Sequence, residues 1–389
     1  MSASPSRAGT AAVVTTVASV CPVFLVGGLS VQIAADLRFS AFQLGLAVAL
    51  YFTAAAVSGV GCGFVVERLG ARLSGRIAIA VAASALLGIA AAGSYTALAL
   101  LLTAAGPANT LGQLAANALL SRRVPRRRQG LMFGVKQAAI PLSTTLAGAS
   151  VPVVALTVGW RWAFVLAAVL AMAAWPTLPR IHVETATRRS RAQASRQRPS
   201  AALVAVAVAG AMGATAANPL GSFLADYAVT QGLSESAAGL NLTLGGVAGV
   251  AARVGVGWIA DRRDGGRLVM VAIMLGSGAV GMAMLATGGA WLIPVGTAVG
   301  FALGWAWPGL VNFAISSLHP HAPAAATGVT QTGIALGGGL GPLAFGAIVE
   351  TSGYTTAWLS TAGLMLASAV MMIVGRRMLL ASRRRPSPG

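Results

Sequence analysis

Polar residues interrupt this chain only briefly. Apolar runs long enough to cross a bilayer core as a helix, about 20 residues, recur twelve times. They fall at approximately 11–34, 42–66, 73–94, 96–121, 130–157, 160–179, 201–229, 237–260, 267–288, 290–317, 324–349 and 354–375. The one long polar stretch, Pro179 to Ser200, is Arg-rich, has no helix-length apolar face and ends in Arg198-Pro199-Ser200. The pattern predicts an all-α integral membrane protein of twelve transmembrane helices in two sets of six. Residues 1–178 form a first bundle, 179–200 a linker, 201–376 a second bundle and 377–389 a tail.

The two halves repeat. Gly63-Phe64-Val65-Val66-Glu67-Arg68-Leu69-Gly70-Ala71-Arg72, after span 2, returns after span 8 as Gly257-Trp258-Ile259-Ala260-Asp261-Arg262, followed by Arg263, Gly265 and Arg267. The spacing from Gly63 to Gly257 is 194 residues, half of the 389-residue chain, and other positions keep the same register. Ser40 and Gly45-Leu46 recur as Ser234 and Gly239-Leu240. Gly134-Val135-x-Gln137-x-x-Ile140 recurs as Gly328-Val329-x-Gln331-x-x-Ile334, and Gly159-Trp160 as Gly353-Tyr354. One gapless offset across both halves reads as a tandem duplication.

Composition and charge sharpen the picture. The chain is 56% hydrophobic and 9% charged, against roughly one-quarter charged in an ordinary soluble domain. A formal net charge of +19 would suggest nucleic acid if the basic residues were scattered, but they are not. Of 27 Lys and Arg residues, 23 lie at one face of the predicted bundle and only Arg38 and Arg161 at the other. By the positive-inside rule the basic face, with both termini and the linker, is expected in the cytoplasm. The basic linker is also suited to anionic headgroups, and no nucleic-acid partner is expected. Cys21 and Cys62 sit in apolar spans with no paired spacing and read as small packing residues. Arg7 and the run after it resemble a signal peptide, and Ala18-Ser19-Val20-Cys21 approaches a lipoprotein cleavage site. Val20 spoils that match, and the run is long enough for an uncleaved first helix.

Twelve spans in two repeated halves, with Gly-x-x-x-(Asp/Glu)-Arg-x-Gly-x-Arg between spans 2 and 3 and its echo between 8 and 9, resemble the major facilitator superfamily across essentially the whole chain. Gly159-Trp160-Arg161-Trp162 opening span 6 is also similar to family members. The resemblance implies two six-helix bundles that rock about a central site, in a monomer without cofactor. It also implies a gate built from Gly63, Glu67, Arg68, Arg72, Gly257, Asp261 and Arg262. In that picture Glu67 sits at the N-terminal end of span 11 and Asp261 at that of span 5, where negative charge is favourable. Glu67 stands where the family usually has Asp, and its longer reach is expected to loosen that latch. Solvated turn charges are the bland alternative.

Lys136 is the only lysine, and it lies inside span 5. Eight residues past Arg128, it is roughly 12 Å into a core about 30 Å thick. A cation there costs about 2.5–3.5 kcal/mol and normally faces a partner or a wet cavity. The carboxylates (Asp36, Glu67, Glu184, Asp226, Glu235, Asp261, Asp264, Glu350) all fall in or near loops, so none is placed to neutralise it. Either the substrate is the missing anion or Lys136 snorkels along its stem to the interface. Gln137 and its repeat-mate Gln331 are expected to face one another across the site. Asn109, Gln113 and Asn117, four residues apart, make an amide stripe on span 4 that either lines a cavity or joins helices by hydrogen bonds. Trp305, Trp307 and Asn312 in span 10 are deep enough to form a wall, with Tyr51 and Asn218 as further candidates. Arg253, two turns before Asp261, reads as a gate residue rather than a ligand. The glycine run Gly337-Gly338-Gly339-x-Gly341-Pro342 reads as close packing or as a hinge.

Drug–proton antiporters of the superfamily usually carry an Arg in span 4 and a Gly-Pro-rich run in span 5. Here span 4 has no charge and the Gly-Pro run lies in span 11. The expected function is therefore secondary transport of a small anionic solute such as a monocarboxylate or cyanate-like ion. With no carboxylate placed deep in the membrane to carry a proton, coupling would come from protons travelling with the anion or from exchange. A proton-coupled drug exporter is the alternative, and a transporter-like sensor the second. No His/Ser/Asp or metal-ligand cluster points to an enzyme, and His182, His319 and His321 lie in loops.

Overall fold

A computed structural model describes residues 5–124, 129–178, 200–262, 265–319 and 323–384. The linker before Ser200, Glu184, Asp264, Arg263, His182 and His321 lie outside the described residues. Every described element is a helix and none is a strand. In order they are α1 (Pro5–Gly28), α2 (Ser30–Leu37), α3 (Ala41–Val57), α4 (Gly59–Ala90), α5 (Tyr95–Arg123), α6 (Gln129–Gln137) and α7 (Ala139–Ser150). A π turn at Val151–Ala155, the short α8 (Leu156–Val158) and α9 (Trp160–Ala173) close the first half. The second half comprises α10 (Ala201–Ala217), α11 (Pro219–Thr230), α12 (Glu235–Arg262), α13 (Arg267–Thr287) and α14 (Leu292–Val299). A second π turn at Gly300–Gly304, α15 (Pro308–Leu318) and α16 (Pro323–Arg384) complete it.

Eight helical runs among the described residues are long and apolar enough to cross a membrane, nine if the bent pair α2 and α3 is one span. Two runs each join two helices across a kink. Gly70 (φ 76°, ψ 164°) interrupts α4 and Gly353 (φ 79°, ψ 172°) interrupts α16. Both dihedral pairs are open to glycine and closed to a side chain, and they fall where the hydrophobic pattern parts spans 2 from 3 and 11 from 12.

Other breaks come from proline. Span 5 is divided at Ala138, between α6 and α7, three residues before Pro141. Span 10 opens between the π turn and Pro308, with Trp305 at φ −121°, ψ −2°. A proline supplies no N–H to the carbonyl four residues earlier, so each break frees a main-chain acceptor inside the bundle.

The glycine run of span 11 forms a packing surface. Gly353 is the only residue with non-helical dihedrals within α16. At Gly333, Gly337 and Gly341 the backbone of α16 lies directly against Ala207, Ala211 and Thr215 of α10, too close for any side chain between them. Glycines one turn apart give such an approach. Cys21 and Cys62 are both free and buried, as small packing residues.

Candidate substrate site and gates

Among the described residues, Lys136 and Arg253 are the two buried cations, at 2% and 4% exposure. The Lys136 Nζ donates to Gln113 Oε1 on α5, which fixes the ammonium inside the bundle rather than at an interface. Arg253 reaches from α12 to two main-chain oxygens: it donates to Gln137 O at 2.6 Å and to Trp305 O at 2.7 Å. Its guanidinium also stands 5.6 Å from the Trp305 ring centroid, within cation–π range. Arg253 is thus bonded to the main chain of the residue that follows Lys136. Among the described residues, the hydrogen-bond partners of both cations are neutral oxygens.

Local chain breaks explain these partners. The Gln137 carbonyl would normally accept from the residue at 141, which is a proline. The Trp305 carbonyl lies in the non-helical step before α15. An unpaired buried carbonyl costs about 1–3 kcal/mol, and one arginine satisfies both. The sequence marks Arg253 as a gate residue two turns before Asp261, and its contacts are with Gln137 and Trp305, among the substrate candidates. The proline four residues after Gln137 is the signal that could have shown this.

The surroundings are aromatic on one side and amide-lined on another. Trp305 meets Phe24 of α1 and Phe301 in edge-to-face contacts, with centroids 5.6 and 5.3 Å apart. It also packs on Gly221 of α11, so α1, α11 and span 10 converge there. Trp307 turns away into the second half: it is fully buried, its Nε1 donates to Gly304 O at 2.9 Å, and its ring lies against Gly213. Gln137 approaches Gly309 on α15, three residues before Asn312. The carboxamide oxygens of Asn109, Gln137 and Asn312 are buried with no hydrogen-bond partner among the described residues. Such groups are rare in a finished core. Asn117 of the same stripe is half-buried. Gln331 stands apart from this group, exposed on α16. Tyr51 is engaged by α1, donating to Ser19 O (3.0 Å), and Asn218 within its own helix, donating to Ala214 O (2.8 Å).

At the basic face, Asp261 Oδ2 accepts the Leu131 N–H at 2.8 Å in the first turn of α6. This is the helix end at which the family resemblance implied this carboxylate. Beneath it, Gly134 and Gly257 bring α6 and α12 together. A methyl added at Gly134 would stand 2.8 Å from Arg253 O and 3.3 Å from Gly257 Cα. Arg262 lies over the Trp258 ring at 3.8 Å. Glu67 and Arg72 are half-buried and Arg68 is exposed. A methyl at Gly63 would meet no described atom within 4 Å.

The opposite face holds contacts the sequence did not announce. Glu350 Oε1 accepts Phe42 N–H at 3.1 Å, in the first turn of α3, and Gln32 Nε2 donates to Glu235 Oε2 at 2.6 Å. Both join the first half to the second. Like Asp261, Glu350 is an acid from the second half seated on a helix start in the first. Only its position in the loop at the end of span 11 hinted at this.

A family model described as Major Facilitator Superfamily matches residues 11–342 and, in a second match, 203–389. Among solved structures, the nucleoside transporter NupG, crystallised as a point mutant, is similar with a TM-score of 0.70. That likeness covers 95% of this chain and 99% of the other at 15% sequence identity, and so is a likeness of fold. No curated protein matches the sequence.

Proposed function

The chain belongs to the major facilitator superfamily, and from that membership we propose that it moves a small anionic solute by alternating access of a central site between two six-helix halves. It is a multi-pass membrane transporter and not an enzyme. The anion reading rests on one observation: Lys136 and Arg253 are both buried, Arg253 bonds the carbonyl of the residue next to Lys136, and among the described residues both are hydrogen-bonded to neutral oxygens alone. One cation at mid-depth costs about 2.5–3.5 kcal/mol, and two together repel. An anion between them offsets both terms. Trp305 and the amides of Asn109, Gln113, Gln137 and Asn312 then shape the site, with Gln331 joining only if α16 moves inward.

Residues 1–178 and 201–376 form the two halves in this reading, joined by 179–200 and followed by the tail 377–389. The glycine turns at 70 and 353 support twelve crossings, because each divides a run that the hydrophobic pattern reads as two spans. The concentration of arginines at one face supports cytoplasmic termini in the plasma membrane. Gly63, Glu67, Arg68, Arg72, Gly257, Asp261 and Arg262 act as the gate at that face. The protein functions as a monomer.

Binding to the purified protein tests the anion reading, with acetate, benzoate, succinate, cyanate and phosphate set against choline, a lipophilic cation and uridine. Anions alone bind the wild type, Lys136→Ala abolishes the binding and Lys136→Arg retains part of it. Equal binding of the cations or uridine by wild type and Lys136→Ala would overturn this reading, the lipophilic cation in favour of a drug exporter.

A further inference from the structure

The Arg253 guanidinium spans the boundary between the halves. It belongs to α12 in the second half, yet one N–H holds the Gln137 carbonyl of the first half at 2.6 Å while another holds Trp305 O of its own half at 2.7 Å. Gln137 directly follows Lys136 in the chain. An anion that reaches the Lys136 ammonium therefore arrives beside the point where Arg253 ties the halves together. We propose, on the basis of the anion reading above, that Arg253 is both a binding residue for the transported anion and the strap whose release by that anion frees the halves to part.

The chemistry favours exchange of partners. A guanidinium offers five donors in a planar fork matched to carboxylate. Its bonds to an anion are roughly twice as strong as those between neutral groups, and paired bonds to one carboxylate add orientation. Neutral carbonyls hold Arg253 well enough in the empty site and yield it to a charged oxygen. Once it turns to the anion, the Gln137 carbonyl loses its donor from the second half, and Pro141 ensures that its own helix provides no replacement. That carbonyl ends α6, one turn along the helix from the Gly134–Gly257 approach. Loosening therefore begins where the two helices are closest and where separation opens the basic face.

Pro141 makes the strap testable without any ligand. Pro141→Ala keeps the Cβ that packs on Gly249 and restores an N–H that competes with Arg253 for Gln137 O. Spin labels on cysteines replacing the exposed Leu73 and Trp258, in the full chain with Cys21 and Cys62 changed to Ser, report the gap between the halves at the basic face. In the absence of anion, Pro141→Ala and Arg253→Gln lengthen this distance or add a longer population. Arg253→Gln also weakens binding of acetate, benzoate, succinate, cyanate or phosphate at least tenfold, and Arg253→Lys restores part of it. An unchanged distance in folded Pro141→Ala removes the strap. Wild-type binding that folded Arg253→Gln leaves intact removes the ligand role and this proposal with it, while the anion reading stands. Failure of every anion to bind the wild type removes both.

Discussion

Two of the seams between the halves are made counterparts by the duplication: span 5 (α6 and α7) against α12, and span 11 (in α16) against span 2 (α3 and the start of α4). The first is closed along its length. Gly134 meets Arg253 and Gly257 near the basic face, Pro141 meets Gly249 midway, and Gly148 meets Gly239 and Thr243 near the opposite face. The second is closed near the opposite face, where Gly45 meets Pro342 and Gly346 meets Ala41, and more loosely at mid-depth, where Gly338 and Gly339 lie near Phe52. At Gly63 and Gly328, its counterparts of Gly257 and Gly134, an added methyl would find no described atom within 4 Å. The residues 194 positions apart explain why equal signatures gave unequal seams. Lys136 is matched by Thr330, Arg253 by Gly59 and Pro141 by Ala335. Both buried cations and the proline that frees a carbonyl belong to one seam, so the site is built where the chain has departed from its own repeat.

The largest effect that would break this contrast is steric. Gly134→Val puts bulk into a gap whose first atom, Arg253 O, is already 2.8 Å from a Cβ, and overpacking of this kind costs about 1–3 kcal/mol. Gly328→Val makes the same chemical change at the open counterpart, where the higher helix propensity of valine over glycine leaves stability equal or slightly raised. The Leu73–Trp258 label distance should lengthen in Gly134→Val and stay put in Gly328→Val. Equal responses would mean that the seams are not different in the way described.

A smaller effect belongs to Asp261. Its carboxylate caps the Leu131 N–H from across the boundary, and loss of such a cap costs about 0.5–2 kcal/mol. Asp261→Ala should populate the long distance partially, and Asp261→Asn less, because the amide oxygen still accepts the hydrogen bond but gives up its charge at the helix start. Raising the salt concentration should narrow the difference between Asn and wild type and leave the Ala variant displaced.

These contrasts also mark what the sequence made legible. The hydrophobic period, the 194-residue offset and the loop signature were enough for the helical membrane fold, because they depend on local pattern, whereas Asp261 at the start of span 5 was only what the family resemblance implied. The depth of Lys136 was legible from its distance to Arg128. The role of Arg253 was not, since its partners are main-chain carbonyls whose availability depends on breaks in two other helices. Gln331 was expected opposite Gln137 because the repeat relates them, yet it is exposed. A sequence repeat fixes equivalent positions within each half but not the angle at which the halves meet. The same limit hid Glu350 and Gln32, whose partners are 308 and 203 residues away.

The smallest effect tests the counterparts at the face opposite the basic loops, where Gly159-Trp160 and Gly353-Tyr354 follow the same positive-φ turn. In the second half the Tyr354 hydroxyl donates to Asp226. In the first half the Trp160 Nε1 donates to Asp36 at 3.2 Å, and Arg161, which has no charged counterpart at Thr355, adds an ion pair to the same carboxylate. The Arg161 and Trp160 bonds hold the Asp36 carboxyl below its ordinary value of 3.8. A carboxyl whose value is lowered by folding stabilises the fold at pH above its unfolded value and loses that contribution as pH falls through the lowered one. Arg161→Ala should therefore reduce the thermal midpoint slightly at pH 7 and progressively less as pH falls below about 4. Both partners are more than two-fifths exposed, so the effect is that of a screened surface pair and should shrink in high salt. Thr355→Arg, which gives the second half the missing cation, should not reproduce it, because Asp226 is already engaged by Tyr354 beneath the surface.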